Sequence, residues 1–462
     1  MSALARRVGG ASAVLALLGS AAAPSLPTAT GQAAILVRPR RVVTGDVPRV
    51  NHAEPWVAVD ARNPARLVAT GIIDSGGESV AYSSRDGGVT SSRGRTDRGN
   101  TTFPGGDPIA LFDGRGTAFL ATISPFRVWR SNDAGVTWDG PTMVPGRSFD
   151  REYLAVRTVP DGPDTLYAVA KTPIRVFGHL ASDALALAKS VDRGQTFEAP
   201  RLFLPDPTHS IIHVAGGLVV AANGELFVSF MAHDVPVSDP ATLKNHIWVM
   251  RSPDGGRTFR DPVAAATSVV YGNRGDELKM LKSLAGARIT MDTSAASAFR
   301  GRLYLSYLTV LDRRLQVVVT ASRDSGQTWS APVRVNDDAG TANHSNPQIA
   351  VNDRGDVAVV WNDRRADPRD LCFRTTVSVS LDGGATFLPS VPVEATSTCP
   401  LGENATPPFK LDGFTGRYVQ GGETQGLAAL PGRRFLAVFV GGGATMQLRS
   451  VVIEIVPDRD QR

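Results

Sequence analysis

The chain has 462 residues, 42% hydrophobic and 20% charged, with 46 Gly and 31 Pro, a balance that excludes a disordered or collagen-like chain. Its two cysteines, Cys372 and Cys399, cannot build a disulfide framework or a four-cysteine zinc site. The formal charge of +5 comes from basic residues scattered along the chain rather than clustered in one stripe, which argues against a nucleic-acid partner.

At the N-terminus, Arg6 and Arg7 precede an apolar run over residues 11–23 that meets Pro24. This is the pattern of a secretory signal peptide, with cleavage expected near Ala22 or Ala23, or somewhat later in the stretch ending at Ala33 and Ala34. The run is too short to span a bilayer, and no later stretch approaches the ~20 apolar residues that spanning requires. The expected organisation is therefore a signal peptide (1–23), an N-terminal segment (24–48) and one repeat-built domain (49–456). The expected location is extracellular or periplasmic.

The repeats follow in chain order. The octet Ser-x-Asp-x-Gly-x-Thr-aromatic occurs at Asp133, Asp192, Asp254, Asp324 and Asp382, and a sixth copy at Asp86 carries Ser91 in the aromatic place. Asp and Ser side chains can cap the backbone N–H groups of a tight turn, Gly supplies a positive φ, and the aromatic anchors the turn against a sheet. The six Asp positions are 47, 59, 62, 70 and 58 residues apart, the length of a four-stranded propeller blade with its loops. Between octets the sequence reads strand, short turn, strand, loop, strand; 223–230, 301–307 and 355–361 are equivalent second strands. No long helical period competes, and only 182–189 and 277–284 are expected to form short helical turns.

After the last octet come three strand-like runs, 426–430, 434–440 and 446–456, while 35–43 lies unpaired at the other end. Joining that segment to the last three strands removes an open sheet edge. The expected fold is all-β, a propeller of four-stranded antiparallel blades, seven rather than six, with the octets between third and fourth strands.

The octet is the Asp-box, or bacterial neuraminidase repeat, and its six copies at blade spacing make the chain resemble the sialidase superfamily of β-propellers. The resemblance implies that the octets lie on the face opposite the active site, so functional residues should precede first strands and follow second strands. Those positions hold His52, Glu54, Asp74, Asp107, Asp150, Arg151, Glu152, His209, His213, His233, Asp234, Asp312, Arg313, His344, Asp363, Arg364, Arg365, Arg417 and Tyr418. Converging on a closed axial funnel, such a set forms a binding site.

The resemblance further implies three arginines that hold a substrate carboxylate by paired hydrogen bonds, a Tyr nucleophile activated by a Glu, and an Asp proton donor. Arg151, Arg364 and Arg417 are the clamp candidates, with Asp363 beside them, and Tyr418 is the nucleophile candidate. Glu54 or Glu423 would be its base, and Asp150 or Asp74 the acid. One departure stands out: no Arg-Ile-Pro or Arg-Val-Pro precedes the first octet, where the superfamily places its first clamp arginine.

The expected ligand is a glycan or glycoconjugate, bound by a monomer. Turnover as an exo-α-sialidase or related glycoside hydrolase competes with non-catalytic binding of a glycan or protein in the same funnel. No cofactor and no metal are expected, since the four-residue spacing of His209 and His213 falls in a loop or strand, where it gives no convergence. Cys372 opens the third strand of the sixth blade and Cys399 lies just beyond the fourth, so an antiparallel pairing brings them within disulfide reach, and export favours their oxidation.

Overall fold

The computed structural model describes residues 33–457 apart from 39–40, 46–48, 74–76, 147, 177–178, 204–209, 235–241, 272–286, 340–341, 400, 402–417, 419 and 443–444. At 41–42, 175–176, 179–182, 210–215, 233–234, 242–243 and 270–271 the backbone alone is described. Asp74, His209 and Arg417, the signal peptide and the run 277–284 lie outside the described residues.

The chain is an all-β propeller of seven antiparallel blades, with no helix among the described residues. The first strands are His52–Val59, Gly106–Phe112, Asp150–Arg157, Ser210–Val220, Arg288–Met291, His344–Val351 and Gly426–Leu430, for blades 1 to 7 in that order. Each packs against the first strand of the next blade, and Gly426–Leu430 meets His52–Val59, so the inner wall closes on itself. The seventh blade is completed from the far end of the sequence: Ala33–Val37 pairs antiparallel with Gln447–Pro457, Ala33 opposite Pro457 and Val37 opposite Ile453. Arg41–Val42 continues along the same strand.

The six octets sit between third and fourth strands and share one hydrogen-bond pattern. In the first, Ser84 Oγ donates to Asp86 Oδ1 (2.8 Å) and accepts from Gly88 N–H (2.9 Å). Thr90 donates its N–H to Asp86 Oδ1 (2.9 Å) and its hydroxyl to Asp86 Oδ2 (2.6 Å). The octet aromatic packs back onto the preceding blade: Trp138 of blade 2 is fully buried with Val68, Ala81 and Phe103 of blade 1 and the loop that follows it. Where the aromatic is missing, Ser91 Oγ instead donates to Val43 O (2.6 Å), so the N-terminal segment takes up the contact between blades 1 and 7. A cavity of ≈ 230 Å³ remains there, lined by Val43, Leu67, Tyr82, Val89, Leu436 and Val438 among others.

One expectation is corrected. Residues 182–189 form no helical turn but lie within the strand His179–Ser190, which pairs along its length with Thr165–Val176. Ala and Leu favour helix in isolation, but continuous burial of 184–188 on both sheet faces overrides that local preference.

Candidate functional site

The start of each first strand faces the axis at the end opposite the octets. In blades 1, 2, 3 and 6 this start carries a β-bulge, with register shifts between Ala53 and Trp56, opposite Gly106, between Asp150 and Tyr153, and between Ser345 and Gln348. At each bulge one non-glycine residue has positive φ: Glu54 (53°), Asp107 (50°), Arg151 (59°) and Asn346 (52°). A left-handed residue of this kind costs roughly 1–2 kcal/mol. Four at equivalent places form a constructed feature, since a bulge re-aims the side chains it carries.

Pro55, Pro108 and Pro347 follow three of these residues, and Asp60, Asp113 and Asn352, six positions on, stand just past the ends of the same strands. The sequence thus contains a second repeat, an acidic or amide residue, Pro, four residues, then Asp or Asn, which the octets overshadow. The terminal residue caps the next turn: Asp60, Asp113 and Asn352 each accept a backbone N–H two residues on, all at 2.9 Å.

The inner ring is strongly charged. Arg151 is ion-paired with Glu423, and both are partly exposed. Arg288, buried at the start of the blade 5 first strand, donates to the Glu423 carbonyl (2.9 Å) and lies over the Tyr153 ring at 5.3 Å, while its Nη1 has no partner among the described residues. Burial, then the like charge of Arg151, pulls its pKa down to about 9, against the opposing pull of Glu54 and Asp107. Sequence reasoning missed Arg288; its signal is a cation four residues before Asp292, a register place held by Trp56, Ile109 and Tyr153 in other blades.

Glu54 is buried and its N–H donates to the Gly421 carbonyl (2.8 Å); the Gly421 N–H in turn donates to Tyr418 O (2.8 Å). The buried Tyr418 side chain packs with Ala53 and Ile72, so one corner of the funnel brings Tyr418 and Glu54 together. Asp150 faces outward to Lys171 (3.1 Å). Glu152, next to it, is buried.

The blade 6 residues sit behind the ring. Arg364 is buried, donates to Ser345 Oγ (3.0 Å), and lies 5.8 Å from the Phe373 ring centroid. Burial lowers its pKa to about 10 despite nearby Asp370, Asp363 and Asp367. Asp363, also buried, accepts from Trp361 Nε1 (3.1 Å) and pairs with Arg365 (2.7 Å), which reaches on to Asp337 (2.7 Å). His344 lies between Asp338 (3.1 Å) and Asp363 (3.7 Å). His52 contacts Val50 O and Tyr82 Oη, both at 2.9 Å. Asp312 and Arg313 form a two-residue hairpin turn. Cys372 and Cys399 form a disulfide, with Cα atoms 4.5 Å apart, that ties the loop between the second and third strands of blade 6 to the end of that blade.

No group of three or more His, Cys, Asp or Glu side chains among the described residues is arranged to hold a metal ion. Among the described residues no helix is long and apolar enough to cross a membrane.

The sequence matches no protein family and no curated protein. Among solved structures it is similar to a polysaccharide lyase of family PL25, an ulvan lyase bound to -[GlcA(1-4)Rha3S]-, with a TM-score of 0.50 and 12% identity over 86% of this chain and 93% of that one. It is also similar to a Dyadobacter fermentans protein of unknown function (TM-score 0.47, 14% identity, 91% and 99% covered) and to the Hadza microbial sialidase Hz136 (0.45, 14%, 92% and 69%). At these identities the likeness is one of fold.

Proposed function

We propose that the chain is an exported glycan-acting enzyme, an exo-α-sialidase or a related glycoside hydrolase, working in the axial funnel. The observation that carries this reading is the inner ring itself: Glu54, Asp107, Arg151, Arg288 and Glu423 converge on one end of the axis, three of the first-strand residues there held in strained backbone. A propeller neighbour whose title names it a polysaccharide lyase, the ulvan lyase, agrees with this reading at the level of fold.

In this reading Arg151 and Arg364, with Arg417, hold an acidic sugar, and Arg288 adds a fourth cation beside Arg151. Tyr418 is the nucleophile and Glu54 its base, since Gly421 ties the two backbones together, its carbonyl accepting from Glu54 N–H and its N–H donating to Tyr418 O. Asp150 or Asp74 is the acid. The test is turnover of fluorogenic sialosides and a glycoside panel by the purified mature protein. Sialoside turnover that falls about 100-fold or more in Arg151→Ala and in Tyr418→Phe supports the reading.

A non-catalytic glycan- or protein-binding module is favoured by one observation. Arg151 and Arg364 already have partners, Glu423 and Ser345, so two clamp cations are engaged. Saturable glycan binding without turnover of any panel member would select it.

A further inference from the structure

The octet of blade 1 keeps the turn of the other five but lacks its aromatic side chain. In blades 2 and 5 that side chain is a Trp packed on the preceding blade. Its indole N–H donates to the carbonyl of the octet glycine: Trp138 Nε1 to Gly135 O (3.0 Å) and Trp329 Nε1 to Gly326 O (3.2 Å). Blade 1 has Ser91 at this place, turned to Val43 O. The glycine is unchanged, with a φ of 87° at Gly88 against 88° at Gly135 and 81° at Gly326. The Gly88 carbonyl, counterpart of the two acceptors, takes up no hydrogen bond among the described residues.

The place of the ring is open as well. A Cβ on any of the other five octet glycines would lie within 4 Å of a side chain of the preceding blade, as Gly135 does with Val68 and Gly326 with Val249. At Gly88 it would meet only Leu67, of its own blade. The gap is the cavity of ≈ 230 Å³ between blades 1 and 7, walled by the buried side chains of Leu67, Tyr82, Leu436 and Val438. An apolar cavity of about 150 Å³ holds benzene, so this one has room for a two-ring molecule. On its blade 7 wall stands Ser450, 5% exposed, whose hydroxyl has no hydrogen-bond partner among the described residues. A buried hydroxyl left unpaired favours an occupant with a polar atom over a plain hydrocarbon. Val89 is the one large hydrophobic among the described lining residues that is exposed, so the rim offers a protein surface little apolar area. The occupant that fits is a free small molecule.

We propose that the seam between blades 1 and 7 binds a small indole-type heteroaromatic molecule, whose ring replaces the missing octet aromatic and whose N–H donates to the Gly88 carbonyl. The site is built from the octet turn rather than the funnel residues and does not depend on the glycan-acting reading. Its occupant touches both blades that close the ring, so binding stabilises the closed propeller.

The test is calorimetric titration of the full mature protein with indole, together with thermal unfolding at increasing indole concentration. The expected result is saturable one-to-one binding with a dissociation constant at or below about 1 mM, and a melting temperature that rises with indole. Ser91→Trp, which supplies the ring from the chain itself, should weaken binding at least about tenfold. 1-Methylindole, which lacks the N–H, should bind at least about threefold more weakly than indole. No saturable binding up to the solubility limit of indole overturns the site, as does binding within twofold of the parent in Ser91→Trp. Equal binding of 1-methylindole overturns the contact to Gly88. If Ser91→Trp does not fold, Val438→Phe fills the cavity from the opposite wall and carries the same expectation. A crystal soaked with 5-bromoindole locates the ligand: an anomalous bromine peak between blades 1 and 7 supports the proposal, and a peak only elsewhere overturns it.

Discussion

Gly422 shows how little room the inner ring has. Its φ is 92°, and a Cβ there would lie 2.8 Å from the Glu54 backbone nitrogen and closer still to the Glu54 side chain. Any larger residue must displace Glu54, whose N–H is held by the neighbouring Gly421 carbonyl. Gly432 has a comparable φ of 76° but nothing within 4 Å of its Cβ position. Gly422→Ala should therefore cost more stability than the roughly 1–2 kcal/mol of left-handed backbone that Gly432→Ala carries, and should weaken ligand binding as well. Denaturant unfolding and ligand titration of the two variants check this; equal behaviour would mean that the Glu54 corner is not tightly built. At this scale the sequence was partly legible. Glu54, Arg151 and Glu152 stood out as charges at first-strand starts, whereas Arg288 was hidden within an ordinary strand run, and the burial of Glu152 was not readable because it depends on the neighbouring blade.

The octet is the element that set blade number and spacing, and its chemistry has a pH signature. Asp86, Asp254 and Asp324 have pKa values lowered to about 2, chiefly by the Thr hydroxyl at Asp86 and Asp324 and by the Thr258 backbone N–H at Asp254. A carboxylate with a depressed folded pKa contributes stability above its unfolded pKa near 3.8 and loses it as pH falls towards 2. The melting temperature should accordingly drop between about pH 4 and pH 2, and the drop should shrink in a variant carrying Asp→Asn at positions 86, 254 and 324. Acid unfolding identical in that variant and its parent would assign the transition to other groups. The octet was legible because all its side chains bond within eight residues. The strand over 182–189 was not, because its pairing partner lies in Thr165–Val176 and local Ala/Leu propensity points to helix.

Across the whole molecule, closure is the physical constraint that made the blade count readable. Three strands after the sixth blade and the segment before the first blade leave two open edges unless they pair, and Ala33–Val37 against Gln447–Pro457 removes both. The disulfide was readable on the same basis, since an antiparallel third and fourth strand bring their ends together at Cys372 and Cys399. Closure also gathers these positions: seven first strands share one axis, so the bulges at Glu54, Asp107, Arg151 and Asn346 lie at one end of it although up to about 290 residues separate them in sequence. The central claim is that this funnel end, and not the octet face or a blade edge, receives a sugar. A crystal of the mature protein soaked with an acidic monosaccharide tests it most directly. The account predicts difference density at the inner ring, within hydrogen-bond distance of Asp107 and Arg151; density confined to the octet face or a blade edge, with the ring unchanged, would contradict it.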